Sequence, residues 1–199
     1  MRLVVKNKEE GNELFKGGNY RPAAARYHKA LSHCAKFFDL SEEDKKEVTQ
    51  AKLSLHLNLA SCYLKMEQWE GAIRSADDAL AIDEVNQKAY FRRGLAYEGK
   101  KEWEKASADV KKSQELTSVK DKMIEDAIQR IKKGLQKQKE KEKQVWGKAF
   151  AWGFNNKMLT NMLSSFGSQM FNDVPWACNK KTNSYAASFR LSKMHHDLS

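Results

Sequence analysis

Proline is almost missing. Pro22 and Pro175 are the only two in 199 residues, so no ring clash or absent N–H interrupts helix between them. Cysteine is scarce too. Cys34, Cys62 and Cys178 are odd in number, far apart, and show no Cys-x-x-Cys pair or nearby His at ligand spacing. That argues against a zinc module and a disulfide framework, and a reducing compartment is the simpler expectation. Long apolar runs are also lacking. No window is apolar enough to span a bilayer, and Met1-Arg2-Leu3-Val4-Val5-Lys6 does not read as a signal peptide. No membrane insertion is expected. The cytoplasm is the expected location, with the nucleus also open. No metal-ligand cluster stands out, so neither metal nor cofactor is expected.

What is abundant is charge. Lys and Arg number 36 against 26 Asp and Glu, a net charge of +10. That balance favours acidic peptides, anionic membranes or nucleic acid as partners. The basic residues are not interleaved with a recognised nucleic-acid module, and acidic residues are spread among them, so nucleic acid is not the expected partner. An apolar share of 41% beside 31% charged residues fits helices with one buried stripe and wet outer faces.

A repeat organises the chain. One copy reads Gly11, Leu14, Tyr20, Ala23, Tyr27, Ala30. The next reads Ala60, Tyr63, Trp69, Ala72, Ala76, Ala79. The last reads Gly94, Tyr97, Trp103, Ala106, Val110, Ser113. Ala60 and Gly94 stand 34 residues apart, and Gly11 and Ala60 stand 49 apart, so an insert separates the first two copies. Small residues fall where helices cross closely, larger ones fill the gaps, and an aromatic marks the turn into each second helix. One helical hairpin cannot bury its own apolar stripe, so copies stack and share it. Pro22 falls in a first helical turn, where a missing N–H costs nothing.

These positions resemble the tetratricopeptide repeat. The implied fold is all-α: a three-repeat solenoid of antiparallel hairpins over residues 4–118, with repeats at 4–37, 53–86 and 87–118 and an insert around 38–52 that lengthens the helices. The first repeat's second helix is expected to run to about Phe38. Ser41-Glu42-Glu43-Asp44 reads as a helix start, and that helix is expected to reach about Met66. Glu84 stands where the family places a proline, so the link there is expected to be looser. Ile124, Ile128, Ile131 and Leu135 recur at helical steps, which predicts a long capping and extension helix over 119–154. Its Lys137–Lys143 stretch reads as a solvated projection. Residues 155–199 have no repeat or sustained period. They are expected to be irregular, with one short helix near Met158–Leu163.

The long opening of the second repeat, with Asn58-Leu59-Ala60-Ser61-Cys62-Tyr63-Leu64-Lys65 and Lys88-Ala89-Tyr90-Phe91-Arg92-Arg93-Gly94, resembles the large immunophilins of the FK506-binding-protein type. The resemblance covers about residues 4–150. It implies a co-chaperone that binds the acidic C-terminal Glu-Glu-Val-Asp tail of cytosolic heat-shock protein 90 or 70. The positions matching the family's carboxylate clamp are Lys8, Asn12, Asn58, Lys88 and Arg92. By resemblance, Lys8, Asn12 and Asn58 hold the terminal carboxylate, Lys88 meets the last aspartate's side chain, and Arg92 contacts the acidic residues upstream. Phe15, one turn after Asn12, walls an apolar pocket. The chemistry suits these types: lysine is a point charge, arginine a planar fork, asparagine a neutral donor that fixes direction. Binding on the order of micromolar, weakened by salt, is expected.

The plainer reading makes Lys8, Lys88 and Arg92 ordinary surface cations. Asn58 resists it, because it lies in an apolar run from Leu53 to Ala60 where an unpartnered polar side chain is costly. His56 reads as a helix-face residue, since no acid or nucleophile is placed to work with it. His195-His196 reads as part of the tail, and Cys62 as inert core. The family also implies a calmodulin site, here Lys143, Trp146, Lys148, Phe150 and Trp152, a basic amphipathic stretch. The family's prolyl-isomerase activity belongs to a separate β-sheet domain, and no strand-rich segment is present in this sequence. No catalytic residue and no enzymatic activity are expected, and the chain is expected to be a monomer.

Overall fold

The computed structural model describes residues 1–117 and 121–153, the last five of these as backbone alone. The chain divides into two compact units, 1–141 and 142–199. Among the described residues there are seven helices and no strand: α1 (Arg2–Lys16), α2 (Tyr20–Cys34), α3 (Glu42–Lys65), α4 (Trp69–Ile82), α5 (Gln87–Gly99), α6 (Trp103–Glu115) and α7 (Lys122–Gly153). Each odd helix pairs with the next even one as a hairpin. The hairpins stack through α2 on α3 and α4 on α5, while α3 also touches both α1 and α5 to form an inner layer.

Every hairpin turns in the same way. Gly18, Glu67 and Lys101 all adopt left-handed backbone, with φ of 78°, 56° and 62°. At each, the next residue's N–H bonds back five positions: Asn19 to Leu14 O at 2.9 Å, Gln68 to Tyr63 O at 2.9 Å, Glu102 to Tyr97 O at 3.0 Å. This 6→1 closure ends a helix by satisfying carbonyls that have no partner further along. The same five-residue closure thus recurs at the repeat spacing, and it fixes the angle at which each second helix returns.

Small residues let the helices approach. Ala23, Ala60, Ala72 and Ala106 are fully buried at the crossings. Trp69 seats on the following repeat and Trp103 on α7, each at a glycine. A methyl group at Gly99 would lie 2.6 Å from the ring of Trp69, and one at Gly134 would lie 2.5 Å from the ring of Trp103. Ile124 and Ile131 of α7 are buried against Ala106 and Val110 of α6, with Phe91 and Leu95 of α5 beside them. The apolar stripe read from the sequence is therefore the surface that closes the third repeat. Beyond Leu135 the side chains of α7 are mostly exposed as far as Lys148.

Three expectations need correction. α2 ends at Cys34, not Phe38. Its last carbonyls are taken by Ala35 and Lys36 N–H, Asp39 is left-handed at φ 53°, and Phe37 and Leu40 turn back onto the first core while Phe38 is left 85% exposed. A continued helix would carry Phe37 and Leu40 off that core. The link at Glu84 is tied rather than loose. Asp83 Oδ2 accepts from Asn86 Nδ2 at 2.9 Å, and Asn86 Oδ1 caps α5 by accepting from Ala89 N–H at 3.1 Å. Two short polar side chains replace the rigidity expected of a proline. The last long helix starts at Lys122, where Asp121 Oδ1 accepts from Met123 N–H at 2.8 Å. The expected short helix at 158–163 and the irregular tail at 155–199 lie outside the described residues.

Candidate functional site

The inner layer carries one polar groove of about 310 Å³. Asn12 of α1, Asn58 of α3 and Arg92 of α5 all line it. Each comes from the middle of an inner helix, and stacking alone brings them together. Asn58 meets the partner that its apolar surroundings demand: its Nδ2 donates to Asn12 Oδ1 at 3.2 Å. Phe15 lines the same groove, and Tyr20 holds it edge-on at 5.2 Å between ring centres.

The remaining sequence candidates fall elsewhere. Lys8 lies one turn before Asn12 and is half-buried. Lys88 lies one turn before Arg92 and is exposed. Neither lines the groove. A four-residue step keeps each lysine on the same helix face as Asn12 or Arg92, about 6 Å along the axis. Lys143, Trp146 and Lys148 are exposed on α7, while the Phe150 and Trp152 side chains lie outside the described residues. His56 lies against Asp78 of α4, Nδ1 to Oδ2 3.4 Å, rather than in the groove.

Sequence reasoning missed Tyr27, Ser61, Glu9, Glu13 and Lys16, which complete the lining. Ser61 follows Asn58 by three residues, a spacing that signals a shared face. Glu13 is held by Lys16 at 2.9 Å. Tyr27 was legible only as a packing aromatic. It comes from α2 and reaches inward because Gly11 offers no side chain: a methyl there would lie 2.6 Å from the Tyr27 ring. Its hydroxyl donates to Asn12 Oδ1 at 2.8 Å. Burial raises the Tyr27 pKa to about 12, with Cys62 adding to that while Asn58 and Arg92 oppose it. The phenol is therefore neutral and free to donate across the physiological range.

Arg92 is the group with unmet demand. Its Nη1 is buried and has no hydrogen-bond partner among the described residues. Burial pulls its pKa below the ordinary guanidinium value, with Cys62 and Tyr27 pulling the other way. A guanidinium remains charged at neutral pH even so. The residue is half-buried, but a buried cationic donor without a partner is costly, and an anionic ligand would relieve that cost. Cys62 cannot act as that anion, because burial raises its thiol to about 11. Among the described residues no group of His, Cys, Asp or Glu could hold a metal ion, and no helix is long and apolar enough to cross a membrane.

No family model matches the chain. It is 34% identical over 143 residues to peptidyl-prolyl cis-trans isomerase FKBP4 of Bos taurus, a match covering 72% of this chain and 31% of that protein. The chain thus spans less than a third of the length of that curated relative. The C-terminal tetratricopeptide-containing domain of a Plasmodium falciparum FK506-binding protein has the same fold, with a TM-score of 0.64 at 26% identity over 70% of this chain and 92% of that one. The myosin chaperone UNC-45 of C. elegans, solved in complex with an Hsp90 peptide, gives a TM-score of 0.57 at 32% identity over 67% of this chain and 14% of that one.

Proposed function

The chain carries a tetratricopeptide-repeat domain of the large-immunophilin type, and from that premise we propose that it is a non-catalytic adaptor for the acidic C-terminal tail of heat-shock protein 90 or 70. Asn12, Asn58 and Arg92 take the tail's carboxylates in the groove, Phe15 walls the apolar side chain, and Lys8 and Lys88 meet the peptide at the groove's two edges as a carboxylate clamp. The observation that carries this reading is the buried, unpartnered Arg92 Nη1 beside two asparagine amides. Each charge-assisted hydrogen bond contributes roughly 1.5–3 kcal/mol, and ordering a flexible peptide offsets much of the sum. Micromolar affinity, about −8 kcal/mol, is the expected balance. The adaptor acts as a monomer in the cytoplasm.

Calorimetric titration with a Glu-Glu-Val-Asp peptide tests it. The wild type binds with micromolar affinity, more weakly in high salt, and the double variant Lys88→Ala with Arg92→Ala shows no measurable binding while keeping its helicity. Unaltered affinity in the double variant would refute the assignment. Running both chaperone tails in parallel ranks the two partners. A second reading, calmodulin binding by α7, is supported by Val145 and Trp146, which are 65% and 46% exposed on a lysine-rich helix. Calcium-dependent comigration with calmodulin, lost in Trp146→Ala, tests that reading.

A further inference from the structure

The contact between Tyr27 and Asn12 reaches behind the groove's donors and deepens the peptide-binding reading, on which it rests. Asn12 Oδ1 accepts twice, from the Tyr27 hydroxyl at 2.8 Å and from Asn58 Nδ2 at 3.2 Å. Flipping the amide would set its Nδ2 against the Asn58 donor and forfeit that bond. The amide therefore has one favoured orientation, and its two N–H donors are left for the groove. We infer that Tyr27 is a positioning residue: Asn58 Nδ2 selects the Asn12 oxygen, and the Tyr27 hydroxyl locks that orientation with a second, shorter bond, so the groove presents nitrogen donors to a free terminal carboxylate.

First, the Tyr27 ring is only 2% exposed, so it acts through Asn12 and not by touching solvent. Second, it stands on α2, outside the inner layer, and is fixed there by close contact with Gly11. Third, without that hydroxyl only the longer 3.2 Å contact from Asn58 holds the amide, and Asn12 turns more readily to offer its oxygen to a ligand. Presenting oxygen to a carboxylate is repulsive, so an unanchored Asn12 loses affinity and discrimination together. The anchored form favours a terminal carboxylate over a terminal carboxamide, whose own N–H groups would face donors.

The test uses Tyr27→Phe, which keeps the ring and its packing and removes one oxygen. Two measurements are made: calorimetric titration with a Glu-Glu-Val-Asp peptide as free acid and as C-terminal amide, and 15N relaxation of the Asn12 side-chain amide in the peptide-free proteins. The free acid is expected to bind roughly five- to tenfold more weakly to the variant, with a smaller loss for the amide and an unchanged melting curve. The Asn12 amide is expected to be rigid in the wild type and mobile in the variant. An equal loss for both peptides, or no loss, would overturn the proposal. If the wild type binds neither peptide, the adaptor reading falls and relaxation alone decides: an amide equally mobile, or equally rigid, in both proteins removes the positioning role. A mobile Asn12 amide in the wild type overturns it even if the variant does not fold.

Discussion

Arg93 grips Asp109 of α6 with two bonds, Nε to Oδ2 at 2.7 Å and Nη2 to Oδ1 at 2.8 Å. Its remaining nitrogen, Nη1, donates to Asp77 Oδ1 of α4 at 2.6 Å. These contacts push its pKa above the ordinary guanidinium value, the Asp109 hydrogen bond most of all. Arg92, the preceding residue, has a buried Nη1 with no partner. Two adjacent arginines therefore differ: one bolts three helices together, and the other keeps a buried donor without a partner among the described residues.

That difference predicts opposite effects on stability. Arg93→Met leaves Asp109, only 10% exposed, as an unpaired buried charge and should cost about 2–4 kcal/mol. Arg92→Met keeps the apolar stem and removes an uncompensated cation, so it should be neutral or stabilising by up to about 1 kcal/mol. Urea unfolding of the two variants beside the wild type measures both, and equal destabilisation would contradict the assignment.

The shared turn gives a second prediction. Glu67 and Lys101 adopt a left-handed backbone that Gly18 adopts freely. For a residue with a Cβ that conformation costs roughly 1–2 kcal/mol, part of which the flexibility of an unfolded glycine offsets. Glu67→Gly and Lys101→Gly should each stabilise by about 0.5–1 kcal/mol, while Gly18→Ala should destabilise by about 1 kcal/mol. Thermal melts of the three variants show whether the signs hold.

Close approach separates two glycines of one helix. A methyl at Gly134 meets the Trp103 ring at 2.5 Å, whereas one at Gly147 meets nothing within 4 Å. Gly134→Ala should therefore cost about 1–3 kcal/mol through displacement of the tryptophan. Gly147→Ala should raise helix content, with a gain of up to about 1 kcal/mol in the helix. Circular dichroism and tryptophan fluorescence distinguish them, since Gly134→Ala alone disturbs the fluorescence of a seated ring.

His56 gives the fold a pH dependence. Burial lowers its pKa below the usual 6.5; Asp78 pulls upward, while His28 and Lys52 push further down. The unfolded chain then binds the proton more readily than the folded one. The contribution to stability is complete above about pH 6.5 and is lost as pH falls toward the depressed folded value. His56→Gln should flatten this part of the stability curve between pH 7 and pH 5. Parallel curves for wild type and variant, from urea midpoints at each pH, would exclude His56 as the cause.

Much of the candidate site could be read along the chain. Asn12, Asn58 and Arg92 were identified by their match to the clamp positions of the family the chain resembles, and the cost of a polar side chain between Leu57 and Leu59 marked Asn58 as needing a partner. Tyr27 could not be read as part of the site. Its apolar ring obeys the packing pattern, and nothing in sequence spacing tells whether its hydroxyl ends at solvent or at an amide on another helix. The role of Arg93 was equally hidden, because its partners Asp109 and Asp77 stand on two other helices and meet it only once the hairpins dock.

Local rules determined the helices, their buried stripes and the period at which they stack, since periodicity and capping act over a few residues. Ser41 starts α3 and the Ile124-to-Leu135 stripe covers the third repeat for that reason. Only the tertiary structure decided where α2 stops, because Phe37 and Leu40 leave the helix to reach a core assembled from distant segments. It alone placed Asn12, Asn58 and Arg92 in one groove. Residues 46 and 34 positions apart meet only when whole hairpins dock, and the docking geometry is set by the volumes of alanines, glycines and aromatic rings spread over all three repeats.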